Sequence, residues 1–341
     1  MTRQLLNTLY VQTQGAYLRL DGDTLVAEIE KEKRLQVPLH HLGGLTVFGN
    51  VLLSPFLLKR CAEDGRSVVW LSRGGRFVGR LCGPVSGNVL LREAQHAALG
   101  EDEARALVAR QFVVGKIRGQ RSVLMRAARE ASGADEDALR RAIAQLDEAG
   151  ALARECGDVA TARGAEGQAA AVYFGVFDRM ISARDMPFEA RSRRPPRDAV
   201  NALLSFLYTL LRSECEAALE GVGLDPQVGF LHTLRPGRPS LALDLMEEFR
   251  GPLADRLALT MINRRQLTPA HFEPRPGGAV YLNEEGRRML LTAYQERKQT
   301  TQKHRLLKEP VARGLMPHLQ ARLLARHLRG DLPTYPPHRG R

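Results

Sequence analysis

Apolar and polar residues alternate with a period of two through the first 85 residues or so, the spacing of half-buried strands. LNTLYVQT alternates, and AYLRL and TLVAEI flank Asp21-Gly22-Asp23, a strong hairpin signal. RLQVPL and LTVFG read as further strands, with Pro38 at an edge or a break. SPFLLKRCAEDG reads as one short helix stopped by Gly65, and SVVWL and RFVGRL pair around Gly74-Gly75. The Gly/Pro/Ser cluster CGPVSGN, Cys82 to Asn88, marks a boundary. Beyond it the period lengthens to that of helices, expected near residues 90–118, 119–131, 135–149, 163–184, 198–221, 240–263, 283–299 and 303–328. The fold class is therefore α+β. A small N-terminal β-sheet domain (1–85) and a linker (86–90) precede a larger all-α helical domain (91–328). A basic tail (329–341), GDLPTYPPHRGR in its Pro/Gly-rich part, is expected not to pack. Nothing repeats at a fixed period, which excludes a solenoid.

Charge narrows the class of partner. The 341 residues carry a formal net charge of +12, which suits a polyanion such as nucleic acid. Arg and Ala abundance also reflects what a GC-rich genome encodes, so the distribution tells more than the total. Residues 301–341 hold nine Lys/Arg against two acids. A second focus, RSRRPPR (Arg191 to Arg197), contains two prolines that forbid a helix, and both a solvated linker and a phosphate-contacting loop remain open. The four cysteines (Cys61, Cys82, Cys156, Cys215) lie far apart without zinc-type spacing, as expected of reduced, mostly buried thiols in the cytoplasm. The opening MTRQLLNTLYVQTQG is too polar for a signal peptide, and no run approaches the roughly 18 to 20 apolar residues that cross a bilayer.

Candidate chemistry gathers between Asn201 and Asn263. In the helix expected after Pro239-Ser240, Leu241, Ala242, Leu245, Met246 and Phe249 share an apolar arc, and Asp244, Glu247 and Glu248 lie opposite. Asp244 and Glu247, at i and i+3, are neighbours able to face one ion, although acids on a polar face are more often simply solvated. His232 ends GLDPQVGFLH on a short connection, with Arg235 and Arg238 close behind. Guanidinium groups suit phosphate oxygens, or they neutralise the nearby acids. Asn201, Ser205, Tyr208 and Arg212 step by 4, 3 and 4 along one face of an otherwise apolar helix. Buried, such a row needs partners, either within a hydrogen-bonded seam or from DNA. Glu166 lies in RGAEGQAAAVYFGVF, where small neighbours would let another backbone or a substrate strand approach. One imidazole with two or three carboxylates favours Mn²⁺ or Mg²⁺ over a structural zinc.

Glu166 in AEGQAAAVYF, the run NALLSFLYTLL, GLDPQVGFLH and RPSLALDLMEEFR together resemble the CRISPR-associated spacer integrase family, Cas one, over nearly the whole chain. The tail LRGDLPTYPP further resembles its I-C subtype. The resemblance implies Glu166, His232 and Asp244 as metal ligands, with Glu247 at an additional acidic position of the site. It places Tyr208 and Asn201 near the site, Tyr208 as a catalytic candidate. It also implies metal-dependent transesterification, in which the 3′-hydroxyl of a short captured DNA attacks a phosphodiester of a repeat array. Such exchange needs no ATP, in keeping with a sequence that has no GxxxxGK[ST] loop. Asn201, Ser205, Arg212, Arg235 and Arg238 are then candidates for DNA contact. Further implied are an asymmetric homodimer through the β domains, a small ferredoxin-like partner subunit, and no membrane.

Overall fold

Asp21-Gly22-Asp23 forms the tight turn of an antiparallel hairpin. The computed structural model describes residues 7–81, 83 and 89–338. Its strands are β1 (Thr8–Val11), β2 (Tyr17–Asp21), β3 (Thr24–Ile29), β4 (Glu32–Pro38), β5 (Gly44–Phe48), β6 (Leu52–Leu53), β7 (Ser67–Leu71) and β8 (Phe77–Leu81). Helix α1 (Pro55–Glu63) separates β6 from β7. Gly22 takes the left-handed φ of +57° that the tight β2–β3 turn requires. The strands form two four-stranded sheets, β4-β3-β2-β6 and β1-β5-β7-β8. Central β5 pairs in parallel with both β1 and β7 and is buried at every residue, so it reads as an unbroken apolar run. Edge strand β4 is largely exposed, carries Lys33 and Arg34, and ends at Pro38, which disfavours further pairing. Leu18 and Leu25 of one sheet share a single core with Leu45, Val47 and Val68 of the other and with Leu57 and Cys61 of α1. The Ser54 side chain caps α1 by accepting from the Leu57 amide.

The helical part comprises α2 (Val89–Gly100), α3 (Asp102–Ala127), α4 (Gly133–Glu155), α5 (Val159–Gly175), α6 (Ala199–Val222), α7 (Ser240–Phe249), α8 (Arg256–Asn263), α9 (Glu284–Gln299) and α10 (Met316–Leu328). Helix α3 packs on α4, α5 and α7 and is buried continuously from Phe112 to Ile117, as a central helix must be. Contacts divide the chain into two units. One holds Met1–Ser86, Asn283–Gln302 and Pro310–Leu315; the other holds Gly87–Leu282, Lys303–Glu309 and Met316–Arg341. The second includes every residue discussed below as a site.

Several sequence expectations change. The expected break at 118/119 is absent: α2 ends at Gly100, and α3 runs through Gly119. Gly119 serves packing instead, since a Cβ there would meet Pro252 Cδ at 3.0 Å. The helix expected over 240–263 is interrupted by a π-helical turn, Arg250–Asp255, because Pro252 has no amide hydrogen to donate. Of the helix expected at 303–328 only 316–328 is α-helical, preceded by a 3₁₀ turn at Arg313–Leu315. Before it, β11 (Thr301–Lys303) pairs with β12 (Pro310–Ala312), and β9 (Phe272–Arg275) with β10 (Ala279–Leu282) forms another small hairpin. Helix α9, assigned by sequence to the helical domain, belongs to the first unit, where Arg287 donates to Gln12 at 3.1 Å. The tail also packs, contrary to expectation: Tyr335 is 1% exposed and His338 is 6% exposed. The boundary cluster Cys82 to Asn88 lies outside the described residues except for Gly83, as do residues 339–341 of the tail. Among the described residues no helix is long and apolar enough to cross a membrane.

Candidate active site

Three segments bring the candidate residues together. The first is the connection 229–232, folded onto the start of α7. Gly229 is obligatory there, since a Cβ would stand 2.6 Å from the Ser240 carbonyl carbon and 2.8 Å from Asp244 Oδ2. Asp244, fully buried, gathers three successive backbone N–H groups. Its Oδ2 accepts from Phe230 at 2.7 Å and Leu231 at 2.9 Å, and its Oδ1 accepts from the His232 amide at 2.9 Å. Oδ1 also meets His232 Nδ1 at 2.6 Å. A carboxylate only accepts, so Nδ1 carries a hydrogen, and in the neutral ring the lone pair is on Nε2. That Nε2 lies 4.0 Å from Glu247 Oε1.

The second segment is α5, whose buried face is Ala162, Ala165, Ala169 and Tyr173, with Glu166 half-buried beside it. Arg163 fixes this helix to the histidine connection by donating to the Leu231 carbonyl at 2.6 Å. The third is α3, which approaches the π turn so closely that a Cβ on Gly251 would meet the Gly119 backbone at 2.9 Å. This contact seats Lys116, 5% exposed, between the acids. Its ammonium contacts Glu166 Oε1 and stands 2.8 Å from Glu247 Oε2. Arg250 Nη2 reaches Glu247 Oε1 at 3.0 Å. Burial alone would push the Glu247 carboxyl up, yet Arg250, Lys116 and His232 outweigh it and hold the group at about 2.

Structure thus unites Glu166 and Glu247 around Lys116, with His232 beside Glu247 and Asp244 behind His232. The resemblance implied Asp244 as a ligand. Both its oxygens are instead spent on backbone amides and the imidazole, which makes it the group that orients the ring. Tyr208, a catalytic candidate, is buried and donates to Asp255 Oδ1 at 2.6 Å; its ring lies 4.7 Å beneath the Arg250 guanidinium. It acts on the centre through Arg250. Tyr173 donates to the other Asp255 oxygen at 3.0 Å. Burial lifts Asp255 to about 6, against the pull of Tyr208, Tyr173, Arg250 and Arg191.

Asn201 is 0% exposed and so has no surface to offer DNA. It binds Arg191, the Ser192 amide, Asp198 and the Ala190 carbonyl, and Ser205 also accepts from Arg191. Asn201 and Ser205, the first half of the row on α6, are therefore a hydrogen-bonded seam that docks the RSRRPPR loop, leaving Arg193 and Arg194 exposed. Arg212 pairs with Glu216 at 3.3 Å. Arg235 is exposed and Arg238 half-buried on the loop that follows His232. Glu248, adjacent to Glu247, faces away: it accepts from Tyr335 at 2.6 Å, the His338 amide at 2.6 Å and Gln320 at 3.1 Å.

Sequence reasoning missed Lys116, Arg250 and Asp255. Lys116 carried a usable signal, a lone cation inside the apolar run FVVGKI, because a buried charge needs a counter-charge.

The donors suit a divalent cation in kind: two carboxylates and one imidazole nitrogen, with Glu247 Oε2 buried and no aligned hydrogen-bond donor on it. As placed, however, no three His, Cys, Asp or Glu side chains among the described residues are arranged to hold an ion. Lys116 supplies the positive charge instead.

A two-unit chain of β domain and helical domain, with a carboxylate–imidazole–lysine centre in the latter, defines the class. The chain belongs to the CRISPR-associated protein Cas1 family, whose model matches residues 9–296. It is 51% identical over 336 residues to a CRISPR-associated endonuclease Cas1 of Moorella thermoacetica, covering 98% of each chain. A CAS1 protein from Thermotoga maritima superposes with a TM-score of 0.82 at 25% identity, covering 95% of this chain and 97% of that one. A casposase bound to an integration product shares the fold, with a TM-score of 0.83 at 22% identity over 97% of this chain and 93% of that one.

Proposed function

We propose that this chain is a metal-dependent DNA integrase and endonuclease that inserts short DNA into a repeat array. The observation that carries the reading is the convergence of Glu166, Glu247 and the Asp244-oriented His232 from three separate segments on one largely buried centre. Glu166, Glu247 and His232 Nε2 would hold Mn²⁺ or Mg²⁺. When bound, such an ion lowers the pKa of an attacking hydroxyl and screens the charge of a phosphodiester. The protein's own groups do the rest. Asp244 keeps the His232 hydrogen on Nδ1, Arg250 holds Glu247 in place, and Tyr208 supports Arg250 from below. Arg235 and Arg238, on the loop beyond His232, take non-bridging phosphate oxygens.

In the reaction the 3′-oxygen of the incoming strand forms a new P–O bond. The P–O3′ bond of the repeat strand breaks, and the proton lost by the attacking hydroxyl is balanced by one gained at the departing 3′-oxygen. The bond count is unchanged, so no nucleotide hydrolysis is needed. The same reading includes a homodimer through the β domains, a small ferredoxin-like Cas2-type partner, a cytoplasmic setting in antiviral defence, and the I-C subtype.

A strand-transfer assay with Mn²⁺ and a 3′-OH duplex tests it. Glu247→Gln should lower joining at least a hundredfold while leaving DNA affinity measured without Mn²⁺ within about threefold, since removing transition-state stabilisation spares binding. Joining at the wild-type rate by Glu247→Gln, or by wild type in excess chelator, would overturn the reading.

A further inference from the structure

We propose that Lys116 is the resident counter-cation of this centre and couples entry of the metal to entry of the phosphodiester. The inference rests on the functional reading above and goes beyond it. Glu166 and Glu247 come from different helices, and the only cation touching both among the described residues is the Lys116 ammonium. A compact, strongly hydrated charge on a flexible stem is well suited to this place. A divalent ion held by the same two carboxylates must evict it, because two cations at contact distance in a buried setting repel strongly.

Eviction has a consequence set by burial. Lys116 is 5% exposed, and its neighbours Val113, Val114 and Ile117 are buried and apolar. An ammonium stripped of both carboxylates there has no bulk water to replace them, and an unpaired buried charge is costly. Arg250 cannot serve as its partner, being itself a cation already on Glu247. An arriving phosphodiester carries the negative charge that the released ammonium lacks. Metal alone therefore binds weakly, and metal with DNA binds well, each raising the affinity of the other by the same factor. The pairing keeps a hydrolytic metal out of the centre until a substrate is present.

The test measures Mn²⁺ affinity directly, from the free-ion paramagnetic resonance signal, on the full-length protein. The duplex probe ends in 3′-dideoxy nucleotides, so no chemistry follows. Glu247→Gln with the same duplex gives the background of Mn²⁺ held by DNA alone. Without DNA, Lys116→Met should bind Mn²⁺ at least tenfold more tightly than wild type, and Lys116→Arg, which keeps the charge, should stay within threefold of wild type. Adding duplex should raise wild-type affinity at least tenfold above background and Lys116→Met affinity less than threefold. If Lys116→Met fails to fold, Lys116→Gln, neutral but still polar, takes its place in the same titrations.

Equal Mn²⁺ affinity in wild type and the neutral variants, with Glu247→Gln abolishing it, would overturn this inference and leave the metal reading standing. Absence of Mn²⁺ binding to wild type, with and without duplex, would overturn both.

Discussion

Asp244 and Glu247 are one turn apart on α7 and do different work. Asp244 is a scaffold: three amides and an imidazole converge on its two oxygens, all from residues 230–232. Glu247, likewise buried, faces the centre and is neutralised by the Lys116 and Arg250 cations, whereas Glu166 stands at its open side. Removing the first should therefore unfold the connection, whereas neutralising an acid at the open side of the centre should leave the fold intact. Asp244→Ala is expected to cost roughly 3–5 kcal/mol, the range for breaking one side of a buried charged network. Glu166→Gln should change stability by less than about 1 kcal/mol, because Glu166 is partly solvated. Urea unfolding of both variants checks this; similar midpoints would show that Asp244 is not the anchor. The residue types of the centre were legible in the sequence, since Glu166, His232, Asp244 and Glu247 all stood out. Their division of labour was not, because Asp244 is defined by backbone amides 12 to 14 residues earlier, and spacing along a helix carries no record of them.

At the scale of elements, the site depends on how closely α3 meets the turn between α7 and α8. Three glycines make that approach possible. A Cβ on Gly115 would lie 2.8 Å from Glu248 Cγ, one on Gly119 3.0 Å from Pro252 Cδ, and one on Gly251 2.9 Å from the Gly119 carbonyl carbon. The last clash is backbone against backbone and cannot be relieved by a rotamer change. Gly251→Ala gains up to about 1 kcal/mol from helix propensity. Overpacking typically costs 1–3 kcal/mol, so the steric term wins, and thermal unfolding should show a net loss of stability. Displacing α3 also moves Lys116, so unchanged melting would mean that the close contact does not position it. The same contact explains why sequence reading put a helix break at Gly119: a glycine needed for packing has the same letter as one that ends a helix. Long periodic segments such as α4 and α6 were readable because each carries its own apolar face. The two-residue β6 and the β11–β12 pair were not, since pairing between short segments leaves almost no local periodicity.

Across the whole molecule, buried acids set how stability depends on pH. Burial pushes Glu248 up to about 8 despite hydrogen bonds from Tyr335, the His338 amide and Gln320, against 4.5 for an ordinary glutamate. Between those values the folded chain holds a proton that the unfolded chain has released. Stability therefore falls as pH rises through this window, by up to about 1.4 kcal/mol per pH unit for one group, and levels off above the folded value. Asp255 acts in the same sense between 3.8 and about 6. Glu247 acts in the opposite sense: its contribution is complete above 4.5 and is lost as pH falls through about 2. These three groups together favour mildly acidic pH, with a decline toward pH 8 that belongs to Glu248 alone above about 6. Glu248→Gln separates that term from the rest. Its amide oxygen can accept from Gln320 and His338 as Oε2 does now, while its NH₂ faces Tyr335 Oη, so the C-terminal segment stays pinned. The variant should lose less stability than wild type between pH 6 and 8.5, and should be the more stable of the two at the upper end. Urea unfolding at pH 5.5, 7 and 8.5 reads both quantities. Parallel profiles would mean that Glu248 is already ionised in the folded chain, and that the segment carrying Tyr335 and His338 is held by a charge rather than by a neutral carboxyl.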